Sequence, residues 1–129
     1  MISFTVFGSV PSLKNSNGMN RLGQRFDNKA VKAYKQDFFL QVPARYRNLH
    51  LGSKERILKL QVALFHDSWR RDADIAIIAD CLQTAGVINN DRWIRIIEVN
   101  ATRIDKDKPR AYIVIQELSL VEVSTGQPD

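Results

Sequence analysis

The pattern that most limits how this chain can fold lies in its middle third. Leu58, Leu60, Val62 and Leu64 alternate with less apolar residues and predict a strand running to about Phe65. The charged stretch from Asp67 to Asp74 follows, and Ile75, Ile78, Ala79 and Leu82 then recur at helical spacing. Gly86 stands where a left-handed helix cap is expected. Residues 93–101 and 110–117 are rich in Ile and Val and read as two further strands. The polar segment Asp105-Lys106-Asp107-Lys108-Pro109 between them reads as a hairpin connection. A strand, a short helix and two strands in succession require a sheet with at least one helix packed against it.

The first half completes this frame. Ile2, Phe4 and Val6 share one side of an opening strand over 2–7. Gly8, Pro11 and the run Lys14-Asn15-Ser16-Asn17-Gly18 predict a loop to about Gln24. Asn28 suits a helix cap, with Val31, Tyr34, Phe38 and Val42 on one face and Pro43 at the end. The stretch from Arg45 to Glu55 is polar and irregular. The expectation is one α+β domain over 1–118, with a mixed sheet, two main helices and the order β-α-β-α-β-β. Residues 119–129 read as a tail. With 129 residues the chain suits one domain and is too short for two.

Composition narrows the functional classes. No run approaches the roughly 18 apolar residues of a membrane span, and the first residues lack the apolar core of a signal peptide. The single cysteine, Cys81, has no intrachain partner, so a reducing cytoplasm is the expected compartment. The net charge of +5 is divided unevenly. Residues 1–60 hold 11 basic and 3 acidic side chains, whereas residues 61–129 hold 8 basic and 11 acidic. Lys14, Arg21, Arg25, Lys29, Lys32 and Lys35, interleaved with Phe26 and Tyr34, lie along a loop and helix that could follow a phosphate backbone. A solvated helix face is the plainer alternative for any one lysine.

Asp67, Asp72, Asp74, Asp80 and Asp91 fall within 25 residues of one another. In an extended backbone Asp72 and Asp74 point the same way, and Asp91 could return to the same end of the sheet. Carboxylates converging in this way need a cation and suit Mg²⁺, or Mn²⁺ in its place, which can activate water at a phosphodiester. Arg70 and Arg71 beside them would draw a phosphate. The same residues also fit a surface cluster of ion pairs in which Asp74 simply caps the helix at Ile75. His50 and His66 have no metal-ligand spacing and read as structural or surface residues. Cys81, between Ile78 and Leu82, reads as core. Trp69 and Trp93 could stack on nucleotides, while Trp93 next to Ile94 reads rather as packing in the core or at a dimer contact.

The block Arg70-Arg71-Asp72-Ala73-Asp74, followed by Asp80-Cys81-Leu82, Ala85-Gly86 and Asn90-Asp91, resembles the RusA family of Holliday-junction resolvases. Pro11, Ser12, Asn15 and the helix bearing Tyr34 follow the family order, so the likeness covers roughly residues 2–117. It is most specific over residues 70–91. The resemblance implies a small, homodimeric, often prophage-encoded endonuclease acting on branched double-stranded DNA such as a four-way junction. It also implies that Asp72, Asp74 and Asp91 bind the metal, that Arg71 is the family's arginine, and that Asp80 is a further family acid. This chain differs from the family pattern in four respects. The Asp74–Asp80 interval is two residues shorter, Ile75 replaces an Asn, Ile78 meets the family's lysine, and Asn90 replaces the first acid of an Asp-Asp pair. These differences keep a second expectation open, a DNA-binding protein on the same fold without catalysis. A protein-interaction module, or a nuclease of flaps or RNA, also fits the composition.

Overall fold

A computed structural model describes residues 1–11, 17–19, 25–27, 29–69 and 73–119, with the backbone alone for 17–19 and 25–27. A four-stranded mixed sheet in the order β1-β6-β4-β5 forms its frame. The strands are β1 (Ile2–Phe7), β4 (Arg56–His66), β5 (Ile94–Ile104) and β6 (Arg110–Ser119). β6 is antiparallel to both β1 and β4, and β5 is parallel to β4. β1, β4 and β5 therefore run the same way. Their carboxyl ends, at Phe7, His66 and Ile104, share one end of the sheet.

Alternation explains which face is covered. Phe4, Val6, Leu58, Leu60, Val62, Leu64, Ala111, Ile113 and Ile115 are buried on one side. Against them pack α1 (Lys29–Gln41), through Val31, Tyr34 and Phe38, and α2 (Ile75–Thr84), through Ile77, Ile78, Cys81 and Leu82. The Phe4 and Phe38 rings meet edge to face at 6.0 Å. β1 lies at a sheet edge, and there the Gln41 side chain accepts from Phe7 N–H at 2.7 Å and donates to Phe7 C=O at 2.9 Å. These bonds satisfy backbone groups that an edge strand otherwise leaves open. Among the described residues no helix is long and apolar enough to cross a membrane.

The α+β class and mixed sheet match the expectation, while three details of order differ. A two-stranded ribbon, β2 (Asn17–Met19) and β3 (Arg25–Asp27), lies within the segment read as loop and extends just past it, so the order is β-β-β-α-β-α-β-β. Three residues per strand is too short for apolar alternation to show. The Asp105–Pro109 connection does not close a hairpin, because β4 lies between β5 and β6. It passes over the carboxyl end of β4, held by Asp105 N–H to His66 C=O and by Gly8 N–H to Pro109 C=O, both 2.8 Å. A 3₁₀ turn (Ala44–Tyr46) leads into the irregular stretch, which also holds a one-residue parallel bridge from Leu51 to Ile88.

Gly86 has φ +77°, as a left-handed cap requires, and a Cβ there would fall 2.1 Å from Arg47 C=O. Ser119 is the last residue of β6 and pairs with Arg56. The rest of the expected tail lies outside the described residues, as do Asn28, Ser12 and Asn15.

Candidate functional site

After β4 the chain enters α2 directly behind Asp74. Asp74 has an extended backbone and α2 begins at the next residue. Its Oδ1 accepts from Ala76 N–H at 2.9 Å, an N-cap bond that satisfies an orphan donor of the first turn. Its own N–H donates to Pro11 C=O at 3.2 Å, which ties the junction to the chain leaving β1. The cap occupies one carboxylate oxygen, and Oδ2 keeps its acceptor capacity. Nearby, Asp67 Oδ2 accepts a long 3.4 Å bond from Ser9 Oγ. A hollow of about 260 Å³ opens beside the junction between His66, Trp69, Ala73 and Val99, with Trp69 74% exposed.

Asp74 is the N-cap, with no residue between it and the first turn of α2. Because the helix starts at once, Ile78 falls on its inner face and is fully buried. A lysine ammonium there would be taken out of water with no partner. Ile75 packs partly against the same core. The departures from the family pattern at 75 and 78 are therefore core positions of this chain.

Asp91 does not return to Asp74. It follows α2, and its N–H donates to Oε1 of Gln83, near the far end of that helix, at 2.9 Å. Gln83 lies nine positions beyond Asp74 along the helix, an axial distance of about 13 Å. The sheet agrees with this placement. Leu58 of β4 pairs with Ile94 just after Asp91, whereas Asp74 follows the other end of β4. Within one chain the two acids thus occupy opposite ends of a β-α-β unit, because a parallel strand must restart where its predecessor began. Asn90 caps the 3₁₀ turn Asp91–Trp93, accepting from Arg92 N–H at 3.0 Å.

The basic residues divide in the same way. Lys29 and Lys32 are exposed on α1. Lys35 is half-buried and paired with Asp80 of α2, a helix-to-helix bond that commits both side chains. Tyr34 is buried and unavailable to a ligand. Burial, with Cys81 as the second cause, pushes its phenol well above the usual range. Arg25 belongs to β3. Lys14, Arg21, Arg70, Arg71 and Asp72 lie outside the described residues. Cys81 is buried as expected, and Trp93 is half-buried against the core.

Among the described residues no three acidic, histidine or cysteine side chains gather as a metal site. Of the expected acid set, Asp74 and Asp91 are described, and they are apart.

Two cations that no local pattern singles out lie at the same end of the sheet as Asp74. Arg103 and Arg110 both sit over the Phe65 ring, with Cζ 5.6 and 3.9 Å from its centroid. Arg110 also bonds Asp105 at 2.8 Å. That bond, with the Lys108 N–H, holds the Asp105 carboxyl below the usual carboxylate range. No family model and no curated protein matches the chain.

Proposed function

We propose that the protein is a Mg²⁺-dependent endodeoxyribonuclease of branched DNA, resembling the RusA resolvases and working as a homodimer. The observation that most supports this reading is the Asp74 junction. A carboxylate with a fixed backbone stands at the carboxyl end of a strand in a parallel β-α-β unit, where ligands of such units bind. Asp72 precedes it by two residues, with Arg70 and Arg71 immediately before. The helix N-terminus and the arginines favour a phosphate there. Asp72 and Asp74 would hold the ion, which when bound would supply an activated water to the phosphodiester.

Within one chain Asp74 and Asp91 lie apart, which by itself favours binding without catalysis. If all three acids serve one ion, Asp91 must come from a second copy, and a two-fold axis then makes two equivalent sites. Two such sites suit symmetric cutting of a four-way junction. The exposed Lys29 and Lys32 would seat the DNA backbone without reading its sequence.

The test is nicking of a synthetic four-way junction with Mg²⁺ by the wild type and by Asp72→Asn. Cleavage by the wild type alone is expected, and equal cleavage by both sinks the reading. The burial of Ile78 where the family has a lysine favours a second reading, DNA binding without catalysis. That reading expects salt-sensitive junction binding and no cleavage by either protein.

A further inference from the structure

The strand registers align Phe7, Arg110, Phe65 and Arg103 in one row across β1, β6, β4 and β5. Their inner neighbours Val6, Ala111 and Leu64 face the helices, so this row lies on the face that no helix covers. Arg110 is locked in place, donating to Asp105 Oδ2 at 2.8 Å and to Lys108 C=O at 2.9 Å while its guanidinium lies on Phe65. The next row along the sheet is Thr5, Tyr112, Ala63 and Asn100. Phe7 is 52% and Tyr112 42% exposed, so two aromatic rings flank a fixed cation in water.

Charge at this end of the face is mainly positive. Lys106 and Lys108 are exposed on the adjoining connection. The facing acids are Asp105 and Asp107, and Asp105 is engaged by Arg110 and by the N–H groups of Asp107 and Lys108. Glu98, further down the face, is held by Lys59 and Gln61.

We propose that this uncovered face binds single-stranded nucleic acid, with bases stacking on Phe7 and Tyr112 and phosphates drawn to Arg103, Arg110, Lys106 and Lys108. Exposed rings among cations are what unpaired bases on a polyanionic backbone require. In a duplex the base faces are already stacked on each other and cannot reach such a shelf. A second copy fits less well, because a two-fold axis through this row would bring the same mainly positive end of two faces together. The proposal requires neither Asp72, Asp74 and Asp91 nor a metal, so it stands or falls separately from the nuclease reading.

The experiment is fluorescence anisotropy of labelled oligothymidylate titrated with the full chain in EDTA, beside a duplex of equal length. Tighter binding of the single strand is expected. Phe7→Ser and Tyr112→Ser each weaken it about tenfold, whereas Tyr112→Phe retains it. Arg103→Gln lowers the logarithmic salt slope by about 0.7. Circular dichroism of each variant verifies that the fold is kept. Unchanged affinity in a folded Phe7→Ser/Tyr112→Ser chain overturns the proposal, as does a preference for duplex. It is equally overturned if those substitutions convert a dimer to a monomer in sedimentation, which would make the face a contact between copies.

Discussion

The two ends of α2 carry residues of the same chemistry in different circumstances. At its start, Asp74 is bonded through both side chain and backbone, next to the chain leaving β1. Beyond its end, Asp91 is exposed, its backbone held by Gln83 and its neighbour Asn90 acting as a cap. The difference shows that proximity in sequence is a poor guide to convergence when a helix intervenes. Seventeen positions separate the two acids, yet the parallel course of β4 and β5 sends them to opposite ends of the sheet. A site using both is assembled between copies or not at all.

The middle of α2, between those ends, should resist change most strongly. Ile78→Lys, which places there the lysine of the RusA pattern, buries an unpaired ammonium and is expected to cost more than about 4 kcal/mol. Urea unfolding checks this, and a stable, folded variant would show that α2 can shift to expose position 78. At the start of the helix, Asp74→Asn keeps a capping oxygen but removes the charge. It should lower junction nicking at least about 100-fold while leaving stability near wild type.

The dimer idea is sharpened by mixing two inactive variants. Asp74→Asn and Asp91→Asn chains, unfolded and refolded together, form mixed dimers in which one of two sites is intact if Asp91 acts across the interface. About a quarter of wild-type nicking should return, since half of randomly paired dimers are mixed. No recovery would place both acids in one site of one chain and contradict the geometry described above.

Two smaller effects concern stability. Asp74→Ala should cost about 1 kcal/mol through loss of the cap, measured as a lower urea midpoint at constant slope. Tyr34, against the middle of α2, has a buried hydroxyl without a hydrogen-bond partner among the described residues. Tyr34→Phe should therefore be neutral or stabilise by up to about 1 kcal/mol. The phenol's folded pKa is raised above the usual 10.0. Its contribution to stability is thus fully present below about pH 10 and is lost as pH rises further, because the unfolded chain releases the proton first. Thermal melts between about pH 9 and 11 should show a shallower alkaline decline in the Phe variant.

Much of the frame was legible in local pattern. The alternations at 2–6 and 58–64 and the spacings at 31–42 and 75–82 matched their elements, because each segment buries one face and burial leaves a period. Gly86 was legible for the same kind of reason, since a positive φ is cheap only for glycine. The β2–β3 ribbon was not, being too short to carry a period. The Asp105–Pro109 segment reads as a hairpin in any local window, and its passage over β4 depends on which strands pair.

The candidate site divides along the same line. The sequence alone determined the acidic and basic residue inventory, the capping capacity of Asp74 and the burial of Ile78, all consequences of residue type and short-range spacing. Only the tertiary structure decided that Asp91 leaves Asp74, that Lys35 is taken by Asp80, and that Phe7, Arg110, Phe65 and Arg103 form one row. Strand order and register bring together residues up to about a hundred positions apart in the chain, and no local spacing encodes that.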